Sequence, residues 1–328
     1  MLNLARLKAI RLHTRPLGQL VMANTMLALD YRVPKPTEIV IEGLDNLPKD
    51  RTVFLAMNHT DRYNYWPFQY AMHLRGLRYT ATWVKGKYYE HPLTARFLDA
   101  MNNIPLPSRG YVLTTQFRES ARRGPDQAEY RLLRDLVDKG AVPDAAQLQA
   151  TTPAVRKLFD RHGHTAQAWL HWFDGHFAAM VDEVVRLNRQ AVQDLNLNVL
   201  VFPQGTRSIR LSQGHTGLVQ MAQHLGAPIV PVGCNGSERL YPGGSPFSKG
   251  GRIVYRIGPP LTWQQDLAPF VVPEAYQPLS NAASAKHGPL FRGATDAVMA
   301  RIEALLDEPY RAAPDRESDG VKGMNRFL

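Results

Sequence analysis

Two short apolar runs, each closed by a polar motif, limit what this chain can fold into. Val53-Phe54-Leu55-Ala56-Met57 leads into Asn58-His59-Thr60-Asp61-Arg62-Tyr63-Asn64, and Val199-Leu200-Val201-Phe202 leads into Pro203-Gln204-Gly205-Thr206-Arg207-Ser208. An apolar run of this length without alternation fits a strand buried on both faces. Such strands sit in a sheet covered by helices, and in open α/β sheets ligands bind beyond their carboxyl ends. The chain is therefore expected to be α/β, with His59 in one strand-to-helix loop and a Gly-Thr-Arg-Ser turn in another.

Other segments extend this pattern. Residues 38–42 alternate as a half-exposed strand, and 79–84, 229–232 and 252–257 read as further strands. Helices are expected over 65–74, 92–101 and 216–225, the last stopped by Gly226, and a closing helix is marked by Ala297, Met299, Ile302, Leu305 and Leu306. Between 113 and 198 the character changes. Residues 113–123, 129–139 and 155–173 read as helices, residues 143–153 as a polar connector, and Phe177 to Leu195 keep helical spacing.

The formal charge of +10 favours anionic partners. No zinc-knuckle or RNA-recognition motif accompanies it, so nucleic acid is not expected. The single cysteine, Cys234, excludes an internal disulfide framework, fits a reducing compartment and reads as a small core residue. His162, His164, His171 and His176 lack metal-ligand spacing, so no metal is expected. At the amino terminus Arg6, Lys8, Arg11 and Arg15 surround Leu2, Leu4, Ile10 and Leu12. A second apolar part, 17–29, is interrupted by Gly18, Gln19 and Asn24. This segment is too short and polar to span a bilayer and lacks a signal-peptide core. It is expected either to lie as a basic helix in a membrane interface or to pack as an amphipathic helix on the domain.

His59 suits a general base, provided a neighbour fixes its tautomer. Asn64 returns towards the ring after one helical turn, and Asp61 is the other candidate partner. Gly205 permits close backbone approach, Thr206 and Ser208 offer hydroxyls, and Arg207, Arg109, Arg210 and Lys85 offer cations. Backbone N–H groups and a guanidinium fork converging after a strand suit a phosphate.

Taken in order, these motifs resemble the 1-acylglycerol-3-phosphate acyltransferase family of glycerolipid and lysophospholipid enzymes. That family carries Asn-His-x4-Asp, a motif ending in Arg, Phe-Pro-Glu-Gly-Thr-Arg-Ser and a Val-Pro-Val strand. The counterparts here are Asn58-His59 to Asn64, Ile104 to Arg109, Phe202 to Ser208 and Val230-Pro231-Val232. Asn64 and Gln204 stand where the family has carboxylates.

The resemblance implies a glycerol-3-phosphate acyltransferase-like mixed sheet flanked by helices. It divides the chain into an amphipathic segment (1–33), an acyltransferase domain (34–110 and 180–310), a helical insertion (111–179) and a disordered tail (311–328). It also implies transfer of a fatty acyl group from acyl-CoA or acyl carrier protein to a lysophospholipid or related glycerolipid hydroxyl, with no cofactor. His59 would be the base, Asn64 or Asp61 its orienting partner, and Arg109, Gln204, Gly205, Thr206 and Arg207 the phosphate-binding set. Such an enzyme would sit peripherally on the cytoplasmic face of an anionic cell membrane. The two amides also suit an alternative, a catalytically weak lipid- or phosphate-binding protein. A hydrolase finds little support, because no Gly-x-Ser-x-Gly elbow is present.

Overall fold

The computed structural model describes residues 1–317. One seven-stranded sheet organises them, in the order β1-β7-β6-β2-β5-β3-β4. The strands are β1 Thr37–Glu42, β2 Phe54–Met57, β3 Thr80–Lys85, β4 Asn103–Leu106, β5 Asn198–Val201, β6 Ile229–Asn235 and β7 Gly251–Ile257. β2 lies in the middle, parallel to both β5 and β6. β3 runs parallel between β5 and β4, β1 is parallel to β7, and β6 with β7 form the antiparallel pair. The carboxyl ends of β2, β3, β4, β5 and β6 therefore share one edge of the sheet.

Every residue of β2, β5 and β6 is buried, as the unbroken apolar runs require. β1 lies at the sheet margin and keeps its half-exposed pattern. Helices cover the sheet, and the fold is the mixed α/β architecture expected, with additional helices between β4 and β5. β4 itself does not stand out in the sequence. Pro105 sits inside it, which an edge strand tolerates because one side of its ladder has no partner.

The block between β4 and β5 comprises helices Arg109–Ala121, Gln127–Lys139, Ala145–Ala150, Pro153–Asp160 and Ala166–Arg189, ending in a π-turn at Gln190–Asp194. Residues 155–173 are two helices rather than the expected one. Gly163 and His164 adopt left-handed backbone (φ 108° and 64°), and Thr165 caps the next helix by accepting from Ala168 N. Helix Ala166–Arg189 is the return path from the sheet edge to its interior, and residue 179 falls in its middle.

The first part of the amino-terminal segment packs on the domain, the second of the two arrangements expected. Leu2, Leu7, Ile10 and Leu12 are buried in the main core. Leu2 N donates to the Tyr111 hydroxyl, Arg186 to Leu7 O, and Arg6 pairs with Asp99. The apolar side of the first helix, Leu4–Ala9, thus faces the protein, where it removes more water-exposed surface than it would as an isolated helix. Exposed apolar side chains lie further on, at Leu17, Val21, Leu29 and Val33. Among the described residues no helix is long and apolar enough to cross a membrane.

Residues 311–317 are held by Ala312 N to Glu303 and by Gln213 N to Arg316 O. The rest of the tail for which disorder is expected, 318–328, lies outside the described residues.

Candidate active site

The two motif loops meet at the carboxyl edge because their strands are neighbours. Asn58 extends the β2–β6 pairing with its side chain: Nδ2 donates to Cys234 O at 2.9 Å, and Oδ1 accepts from Cys234 N at 2.7 Å. On the other side, His59 N donates to Gln204 Oε1 at 2.9 Å, and Ser208 N donates to His59 O at 2.9 Å. The backbone of His59 is therefore gripped at both polar groups by the loop that follows β5.

The ring is held as firmly. His59 Nδ1 lies 3.1 Å from Asn64 Oδ1, and Asn64 Nδ2 donates to Asn58 O at 2.8 Å. Phe202 stacks on the imidazole, with centroids 4.0 Å apart and planes 17° apart. Burial pushes the His59 pKa down to about 3; the Asn64 hydrogen bond opposes this, while the cationic Arg207 and Lys85 add to it. The imidazole is thus neutral across the physiological range, with Nε2 as the ring nitrogen left for a substrate.

Gly205 has φ 65°, and a Cβ there would come 2.7 Å from His215 Cδ2. That position requires glycine both for its backbone and for the imidazole packed over it. Gln204 is buried; its Nε2 donates to Ser212 Oγ at 3.2 Å and to Arg210 O at 3.4 Å. Thr206 is buried within the same loop, and Arg207 is exposed at its rim.

A family model described as Acyltransferase matches residues 167–235. The match is distant and partial. It takes in the return helix, β5, the 202–208 loop and β6, and leaves His59 outside. No curated protein matches the chain. Among solved structures, the crystal structure of the 1-acyl-sn-glycerophosphate (LPA) acyltransferase, PlsC, from Thermotoga maritima is similar, with 15% identity over 89% of this chain and 86% of that chain and a TM-score of 0.42.

Two residues of the acyltransferase-like set stand apart from the imidazole. Asp61 accepts from Thr60 Oγ1 and Tyr63 N. Two residues of separation aim its carboxylate along the loop rather than at the ring, so the partner of His59 is Asn64. Burial raises the Asp61 pKa.

Arg109 follows β4, three strand positions from β2. Its guanidinium pairs with Asp174 at 2.7 Å and Asp138 at 3.6 Å and bonds Val137 O. It also lies over the Phe173 and Phe177 rings, 5.0 and 5.3 Å from their centroids. In this structure Arg109 ties together the helices of the block between β4 and β5.

Sequence reasoning passed over Phe202 as a ring support, although it is the last apolar residue of its run. It also missed Tyr255, whose hydroxyl donates to Asn64 O at 2.6 Å across 191 residues, a contact with no local signal.

Proposed function

We propose that the protein is an O-acyltransferase that moves a fatty acyl group from acyl-CoA or acyl carrier protein to the hydroxyl of a lysophospholipid or related glycerolipid. The observation that carries this reading is a neutral imidazole at a sheet edge, oriented by Asn64 and placed near the Arg207 and Lys85 cations. His59 Nε2 takes the proton of the acceptor hydroxyl while its oxygen attacks the thioester carbonyl. The tetrahedral intermediate collapses, the C–S bond breaks, and the departing thiolate takes the proton back from His59. No acyl-enzyme is needed.

Arg207, with Lys85, supports binding of the acceptor's phosphate. The same cations hold the His59 pKa down, so an anion bound between them raises it and makes the base stronger once acceptor is in place. The exposed Leu17, Val21, Leu29 and Val33, with exposed Arg11 and Arg15, support peripheral contact with the cytoplasmic face of an anionic membrane.

A second reading, a phosphate- or lipid-binding protein with little catalysis, is favoured by the absence of a carboxylate behind His59. Incubation of purified protein with acyl-CoA or acyl carrier protein thioester and a panel of lysolipids, followed by mass spectrometry, separates the two. An acylated product that is lost with His59→Ala supports the transferase. Lysolipid binding without product from any donor supports the binding protein.

A further inference from the structure

The buried groups behind His59 determine which of its nitrogens carries the proton. A carboxamide has one accepting end and one donating end. Asn58 O can only accept, and it lies 2.8 Å from one end of the Asn64 amide. That end must therefore be the NH2 group, which leaves Oδ1 facing His59 Nδ1 at 3.1 Å. An amide oxygen can bond Nδ1 only when Nδ1 bears hydrogen, so the lone pair is on Nε2.

A further contact holds the backbone of Asn64: Tyr255 OH donates to its carbonyl oxygen at 2.6 Å. Burial keeps the Cys234 thiol neutral. Asn64 and Tyr255 are fully buried, and Asn58 is fixed by its two bonds to Cys234.

We infer that Asn58 and Tyr255 are positioning residues which, through Asn64, select the Nδ1–H tautomer of His59, and that this pocket is built for an amide rather than a carboxylate. The inference rests on His59 being the base and adds how that base is set. It also accounts for the departure from the family motif. An ionised aspartate at 64 would put an oxygen without a proton against Asn58 O in a fully buried site, where an unpartnered charge is costly. It would be tolerated there only while protonated, with its hydroxyl replacing the lost N–H donor.

The test is 15N NMR of the histidine side chains in the full-length protein near pH 7, with His59 assigned by its loss in His59→Gln. The wild type should show His59 Nδ1 protonated and Nε2 unprotonated. Tyr255→Phe should introduce some of the other tautomer and lower kcat several-fold, with acceptor KM nearly unchanged. Asn64→Asp should lower kcat at least about tenfold at pH 7, with partial recovery as the pH is lowered. A wild-type ring protonated at Nε2, a Tyr255→Phe protein with unaltered tautomer and kcat, or an Asn64→Asp protein as active as wild type would each overturn the inference. The tautomer measurement needs no substrate, so it stands or falls separately from acyl transfer. If Asn64→Asp does not fold, the wild-type and Tyr255→Phe spectra still decide.

Discussion

Gln204 Oε1 accepts the backbone N–H of His59 at 2.9 Å, so one hydrogen bond joins two loops separated by 145 residues of chain. The other end of this amide donates to Ser212 Oγ and Arg210 O. Gln204→Glu keeps the acceptor for His59 but turns a second oxygen towards the Arg210 carbonyl. We expect it to cost about 1–3 kcal/mol of stability, the range for an unsatisfied buried polar group. Urea denaturation of both proteins measures this.

Protonation of His59 should couple to folding. Its folded-state pKa is about 3, against an ordinary 6.5 in the unfolded chain. Between those values the unfolded state binds more protons, so stability rises with pH in that window. The contribution is fully present above pH 6.5 and is lost as the pH falls towards 3, at up to about 1.4 kcal/mol per pH unit. Denaturation midpoints at pH 7 and pH 5 should lie closer together in His59→Gln than in the wild type. For the same reason the acid limb of kcat/KM in the free enzyme should lie well below pH 6.

Arg109 and Arg207 should behave as different kinds of residue. Arg109→Ala removes a nearly buried guanidinium from its pair with the half-exposed Asp174 and its contact with two phenylalanines, and should cost about 1–3 kcal/mol while leaving acceptor KM within about threefold of wild type. Arg207→Ala removes an exposed cation beside the base and should raise acceptor KM by about tenfold or more with little change in melting temperature. Thermal melts and acceptor titrations on both variants check the pair. A large KM effect in Arg109→Ala would return that residue to the phosphate site.

Gly205→Ala meets two obstacles, a left-handed backbone and the His215 ring. The backbone part costs roughly 1–2 kcal/mol. Combining it with His215→Ala should relieve only the steric part, so the double variant should remain less stable than His215→Ala alone. A thermodynamic cycle from the four proteins measures each share.

Leu7 and Leu17 lie ten residues apart but in opposite environments, one in the core and the other exposed. Leu17→Ser with Val21→Ser should weaken sedimentation with anionic vesicles and leave the fold intact. Leu7→Ser should instead lower the melting temperature. Equal vesicle binding by the wild type and the double variant would remove this surface as the membrane contact.

The sheet's centre and the site's position were legible because β2 and β5 are unbroken apolar runs, and such runs deliver their following residues to one edge. Asn64 was legible from its spacing. Which of Asn64 and Asp61 meets the ring shows only in the fold, where Asp61 bonds Thr60 and Tyr63. Leu2, Ile10 and Leu12 could not be assigned to lipid or core from sequence, since both surroundings select the same apolar stripe. The helix break at Gly163-His164 leaves the periodicity on either side intact. Arg109 gave no local sign of its acidic partners, because Asp138 and Asp174 reach it only through tertiary packing.

The return path through the helical block also has a consequence in time. The His59–Asn64 pair is seated by Gln204 and Ser208 and backed by Cys234 and Tyr255. At ribosomal speeds of about 5–20 residues per second, roughly ten to forty seconds of synthesis separate His59 from Tyr255. A nascent chain stalled among the helices before β5 therefore carries His59 without a seat. Cut at the exposed Gly140–Val142 turn, the chain would yield two halves, neither complete until they recombine.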